Sequence, residues 1–172
     1  MYPVDERDSV VELKDVPQSS VGAPLPIVLS DAHKILLSYI VEESSPGWDG
    51  TTVRLVGADT PCESLALAEF EFYYSYMFGA PNDEAFCGHP LAARGLRPYG
   101  AYRIANSSWV RQLERMNSVH PNHNPNRFDE LTHFVFAFHD STFECVAKGF
   151  TISQHQGTLE SLLPMMRRRL RY

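Results

Sequence analysis

Phe134, Phe136 and Phe138 alternate with His133, Val135, Ala137 and His139. This is the period-two spacing of a strand, which sends each set of side chains to its own face. A polar tip follows, after which Phe143, Cys145 and Ala147 alternate with Thr142, Glu144, Val146 and Lys148. Two alternating runs about a short polar stretch predict a β-hairpin over 133–150. With Asp140 and Ser141 as the turn, the phenylalanines share a core face with Phe143, Cys145 and Ala147. The histidines then share the opposite face with Thr142, Glu144, Val146 and Lys148, and that face is where chemistry is expected.

The same pattern places the other elements. Val10 to Leu13 reads as a short edge strand within an N-terminal arm over 1–25, rich in Pro, Gly and Ser toward its end. Pro24 and Pro26 favour extended backbone ahead of a strand at 27–29. Residues 34–42 alternate Ile35, Leu37, Tyr39 and Val41 against Leu36, Ser38 and Ile40, a strand with both faces at least partly covered. A hairpin-type loop is expected at 44–50 and a short strand at 51–56. Residues 64–76 centre on Glu69-Phe70-Glu71-Phe72 and predict a strand, with a helix through Leu65, Ala68, Phe72 and Tyr76 as the alternative. Residues 78–130 form a long polar excursion. Within it lie a strand at 101–105, a helix at 107–119 capped by Ser107 with Trp109, Leu113 and Met116 at helical spacing, and a helical turn at 125–131. A last helix starts at Gly157-Thr158 and runs to about 171, with Pro164 weakening its middle. The fold predicted is α+β. Residues 26–172 form a single domain, a mainly antiparallel sheet of about five or six strands with the helices on one face.

A length of 172 residues, 44% hydrophobic and 21% charged, suits one soluble globular domain. A net charge of −6 argues against a nucleic-acid partner. Cys62, Cys87 and Cys145 are too few and scattered for a disulfide framework, which favours a reducing, cytoplasmic setting. The opening MYPVDERDSVVEL lacks an apolar signal region, and no run approaches the roughly 20 apolar residues that span a bilayer.

Candidate chemistry gathers first at the hairpin tip. His139 and Glu144 fall on one face, diagonal across the two strands, with Asp140 beside them. A carboxylate next to an imidazole orients a base or tunes a metal ligand. The bland alternative is that Asp140, Ser141 and Thr142 satisfy turn backbone. His133 lies about 20 Å along the strand from His139, so one metal cannot bridge them, and a structural role is expected for it. His120 and His123, with His89 as a third, have a spacing that suits a divalent metal, although no HExxH or paired CxxC accompanies them. Cys87-Gly88-His89 is a weak nucleophile–base reading, and Cys145 reads as packing. Glu69 and Glu71 read as a solvated face. Arg94, Arg97, Arg103, Arg111 and Arg127 make the excursion locally basic. With Trp109 at the start of the 107–119 helix, Arg94, Arg97 and Arg111 are the candidates for an anionic ligand or acidic partner.

The stretches FGAPNDEAFCGHPL, NSSWVRQLERMNSVHP and HFVFAFHDSTFECVA resemble a group of uncharacterised bacterial proteins of similar length. That resemblance covers most of the second half and implies no activity, cofactor or catalytic residue. Two function classes remain. The first, favoured, is a small cytoplasmic binding or interaction module without a cofactor, facing a protein partner, a small ligand or a second copy of itself. The second is a metal-dependent or His/Glu acid–base enzyme acting on a small molecule. A flat apolar patch at Tyr73, Tyr76 and Phe78 would favour the first. Convergence of the histidines and acids in a pocket would favour the second.

Overall fold

Neither face of the stretch from Ile35 to Ile40 is polar enough for solvent, so a strand there needs cover on both sides. The computed structural model, which describes residues 2–43 and 55–170, supplies that cover. Among those residues the strands are β1 (Ser9–Glu12), β2 (Ile27–Ser30), β3 (Lys34–Ile40), β4 (Glu63–Glu71), β5 (Ser75–Gly79), β6 (Gly100–Ala105), β7 (Thr132–Ala137), β8 (Thr142–Ala147) and β9 (Phe150–Gly157). The helices are α1 (Ser108–Asn117), α2 (Asn126–Asp129) and α3 (Leu159–Arg169).

The strands make two antiparallel sheets, ordered β1-β6-β7-β8-β5 and β2-β3-β4-β9. Their facing surfaces build the main core. Phe134, Phe136, Phe138, Phe143, Cys145 and Ala147 of the hairpin meet Ile35, Leu37, Tyr39, Ala66, Ala68 and Phe70. Phe70 sits with its ring 5.0 to 5.9 Å from those of Phe134, Phe136, Phe143 and Phe150, within the range of favourable aromatic pairs. Small residues (Ala66, Ala68, Ala147) beside the rings let the sheets approach closely. On the outer side of the second sheet, Leu36, Ile40, Leu65 and Leu67 pack under Leu159, Leu162 and Met166 of α3. On the outer side of the first, Tyr102, Ile104, Val135, Ala137 and Val146 pack under Trp109 and Leu113 of α1, Phe128 of α2, Phe86, Leu91 and Leu96 of the connecting loops, and Tyr2.

The α+β class and single domain therefore stand, with more strands than expected and in two sheets. The helices lie on two opposite outer faces rather than one, because both faces of β3, β4, β7 and β8 are apolar enough to demand cover. The segment expected as an arm is tied in: β1 pairs with β6, and Tyr2 and Asp8 are buried. The strand expected at 64–76 is two strands, β4 and β5, each in a different sheet. β9 was not anticipated, since its exposed Thr151, Gln154 and Gln156 hide the pattern. Met116 is exposed, whereas Trp109 and Leu113 are buried. α3 begins at a capping box of Thr158 and Ser161 and runs through Pro164. The loop expected at 44–50 lies outside the described residues, as does most of the strand expected at 51–56, of which Leu55 and Val56 are not in a strand.

Candidate functional site

In the hairpin Val135 pairs with Glu144 and Ala137 with Thr142. Phe138 N–H bonds to the Ser141 carbonyl, so residues 138–141 make the turn. This register is offset by two residues from one with Asp140 and Ser141 at the tip. An offset of two keeps every side chain on its expected face, because the face alternates with period two. It changes the neighbours, however: the residue diagonal to Glu144 becomes His133 in place of His139.

Glu144 is a buried carboxylate with three donors. Tyr2 Oη donates to Oε2 at 2.5 Å, His133 Nε2 lies 2.8 Å from Oε2, and His89 Nε2 lies 3.3 Å from Oε1. The partners fix both tautomers. The Leu91 amide donates to His89 Nδ1 at 3.1 Å, so the proton of that ring sits on Nε2 and points at Glu144. His133 gives its Nε2 proton to the same carboxylate, which leaves Nδ1 to accept from Ser107 Oγ at 3.0 Å. Burial works against the Glu144 charge, but the hydrogen bonds from His133, His89 and Tyr2 outweigh it and hold its carboxyl at about 2. Burial pushes His133 down, against the pull of Glu144, so an anionic carboxylate faces a neutral imidazole. Burial and the adjacent Glu144 push the Tyr2 phenol up. The Tyr2 ring stacks on Trp109 at 5.2 Å, and both rings meet the edge or face of His133 at about right angles.

Local structure explains each position. Ser107 follows Asn106, whose φ of 54° turns the chain sharply from β6 into α1; Asn tolerates this left-handed conformation better than most residues. Ser107 then serves as N-cap, accepting from Val110 N–H at 3.4 Å. The first free amide of α1, Ser108 N–H, bonds to Asp8 Oδ1 at 2.6 Å. The anion at this helix N-terminus is thus the chain's own Asp8, to which Arg111 lies at 3.9 Å.

His139 belongs to a separate surface group. Its Nδ1 is 3.0 Å from Asp83 Oδ2 and 3.0 Å from Tyr99 Oη, and Tyr99 also donates to Asp83. The Tyr99 hydroxyl chiefly, with His139, holds the Asp83 carboxyl below its usual range, and that bond pushes the Tyr99 phenol up to about 12. Asp140 is exposed, with Oδ1 3.9 Å from His139 Nε2. The structure therefore does not bring His139 and Asp140 to Glu144.

The other candidates are also dispersed. His123 bonds to Glu114 at 2.8 Å and Asn117 at 3.0 Å, His120 accepts from the Asn122 amide, and His89 lies in the Glu144 cluster. No group of three or more His, Cys, Asp or Glu among the described residues could hold a metal ion. Cys87 is exposed while His89 is buried, and Cys145 packs in the core. Arg94 bonds to the Glu6 carbonyl, Arg97 to the Ala92 and Leu96 carbonyls, and Arg111 to Asp5 at 2.6 Å and to the Asn106 carbonyl. Trp109 is buried. These four do not make a shared surface. Glu69 and Glu71 flank Lys34, with Arg169 also on Glu69.

Sequence reading missed Tyr2 and placed His133 apart. The shared face of His133 and Glu144 was a signal for the second. Nothing in the spacing pointed to a residue more than 130 positions away for the first.

A second surface feature lies at the edge of the first sheet. β5 is terminal there, and no described strand pairs with its outer side. Tyr76 and Phe78 are 37% and 43% exposed, and Phe72 and Tyr74, just before the strand, are 58% and 44% exposed. Tyr76 and Phe78 pack one flank on Phe143, and Tyr74 packs on Phe128. The other edge strands expose polar groups: Ser9 and Glu12 on β1, Ser30 on β2, and Thr151, Gln154 and Gln156 on β9. No helix among the described residues is long and apolar enough to cross a membrane. Comparison with protein-family models, with curated proteins and with solved structures gave no match for this chain.

Proposed function

We propose that this chain is a small protein-interaction module whose contact edge is β5, and that the partner is a strand of a second copy. One observation carries the reading: Tyr76 and Phe78 are exposed on β5, whose outer side pairs with no described strand, and Tyr74 is exposed just before it. Edge strands are normally defended by charge, proline or cover, and this one has none within the strand itself. Aromatic side chains with one flank packed and one free are the anchors most common at interfaces. No charged residue falls between Glu71 and Asp83, so pairing two copies brings no like charges together within the strand. An antiparallel pair centred on Met77 places Tyr76 opposite the partner's Phe78 and Ser75 opposite the partner's Gly79, which is self-complementary under a two-fold axis. The free thiols of Cys62, Cys87 and Cys145 support a reducing, cytoplasmic setting.

Sedimentation velocity over a concentration series tests this. The wild-type chain is expected to dimerise reversibly, and Tyr76→Lys with Phe78→Lys is expected to leave a folded monomer. A wild-type chain that stays monomeric throughout, or a double variant that dimerises as well as wild type, contradicts the reading.

A further inference from the structure

The turn from β6 into α1 holds an arrangement that the edge-docking role does not use. Ser107 Oγ lies 3.0 Å from His133 Nδ1, and His133 Nε2 lies 2.8 Å from Glu144 Oε2. A hydroxyl, an imidazole and a carboxylate are thus in series, with the carboxylate fixing the tautomer that leaves Nδ1 free to take a proton. Ser107 follows the sharp strand-to-helix turn at Asn106 and serves as the N-cap of α1. It is only 4% exposed, yet it lines a cleft of about 490 Å³, a size suited to a small molecule. The cleft also carries Arg103, Asn106 and Asp129, with Arg7 and Arg111, which are both paired with Asp5. At the same turn the Ser108 hydroxyl is buried and has no hydrogen-bond partner among the described residues.

We propose that Ser107, His133 and Glu144 form an acyl-transfer site in which Ser107 is the nucleophile, and that the cleft takes an ester carrying an anionic group. In the first step the Ser107 Oγ–C bond forms at the ester carbonyl while the Oγ proton passes to His133 Nδ1. The imidazolium is stabilised by Glu144, which is a positioning residue and does not itself take the proton. Collapse of the tetrahedral intermediate breaks the bond to the leaving alkoxide, which takes the proton from Nδ1 and departs as an alcohol. Water then attacks the acyl-serine through the same imidazole, releasing the acid and restoring Ser107. Arg103, exposed in the lining of the cleft, favours an anion on the acyl chain or on the alcohol.

The full chain is treated with a fluorophosphonate probe and read by intact mass and peptide mapping, beside hydrolysis of p-nitrophenyl butyrate and of the anionic mono-p-nitrophenyl succinate. The expected result is a single adduct on Ser107, with the succinate ester hydrolysed more efficiently than the butyrate. Ser107→Asn keeps an N-cap oxygen for α1, so it is expected to fold by circular dichroism and to lose both adduct and hydrolysis. Glu144→Gln is expected to cut kcat by about a hundredfold or more. It should also move the midpoint of the pH–rate profile downward, since the imidazolium loses its carboxylate. Arg103→Gln is expected to raise KM more for the succinate ester than for the butyrate ester. A folded wild-type chain that takes no adduct on Ser107, or Ser107→Asn hydrolysing both esters as fast as wild type, overturns the proposal.

Discussion

Glu144 keeps its charge beside a buried tyrosine and two buried imidazoles because Tyr2, His133 and His89 all point donors at it. Removing the carboxylate leaves those donors buried and unpaired. Glu144→Ala is therefore expected to cost about 3–5 kcal/mol in urea unfolding, since each buried donor left unpaired costs about 1–3 kcal/mol. Tyr2→Phe removes one donor of three and should cost about 1–2 kcal/mol. A loss below about 0.5 kcal/mol for Glu144→Ala, typical of an ordinary surface site, would show that the cluster holds nothing together. Acid acts on the same residues. The Glu144 carboxyl is depressed to about 2 from 4.5, so its contribution is whole above about 4.5 and is lost as pH falls toward 2. His133 is depressed below 6.5 by burial, so the unfolded chain binds its proton first and stability declines as pH drops below that value. Thermal midpoints measured from pH 7 down to pH 3 should fall throughout. In His133→Gln the part of that fall beginning near pH 6.5 should be smaller, and an unchanged profile would contradict the assignment.

At the scale of the elements, the hairpin shows what a sequence pattern can and cannot deliver. Alternation assigned each side chain of β7 and β8 to the correct face, since the core cluster contains Phe134, Phe136, Phe143, Cys145 and Ala147. It could not choose between registers two residues apart, as both bury the same set. That ambiguity is the whole difference between His139 and His133 as the partner of Glu144. β9 was hidden for another reason: as an edge strand it presents polar groups on its exposed side. α1 and α3 were legible through their caps, Ser107 and Thr158. The start of α3 has a further requirement. Gly157 has a φ of 149°, and a Cβ there would sit 2.9 Å from Ser161 Oγ, the hydroxyl that completes the capping box. Gly157→Ala should cost about 1–2 kcal/mol by chemical denaturation, from backbone strain and the displaced cap together. A neutral Gly157→Ala would mean that the turn relaxes freely.

For the whole molecule, two sheets with helices on both outer faces bury most of the apolar runs among the described residues. What remains outside is correspondingly informative. The N-terminal segment, whose Tyr2 and Asp8 looked like parts of a loose arm, closes the outer face of the first sheet through Glu144, Trp109 and the start of α1. No local pattern could foretell this, because all three contacts join residues 100 or more positions apart. Among the described residues the edge at β5 is left open, with aromatic rings on a strand free of charge. Amide hydrogen exchange of the peptide covering residues 72–79, compared at low and high protein concentration, tests the docking role most directly. The account predicts that exchange over that peptide slows as concentration rises, while the β1 and β9 edges stay unchanged. Exchange over 72–79 that is fast and independent of concentration would contradict it.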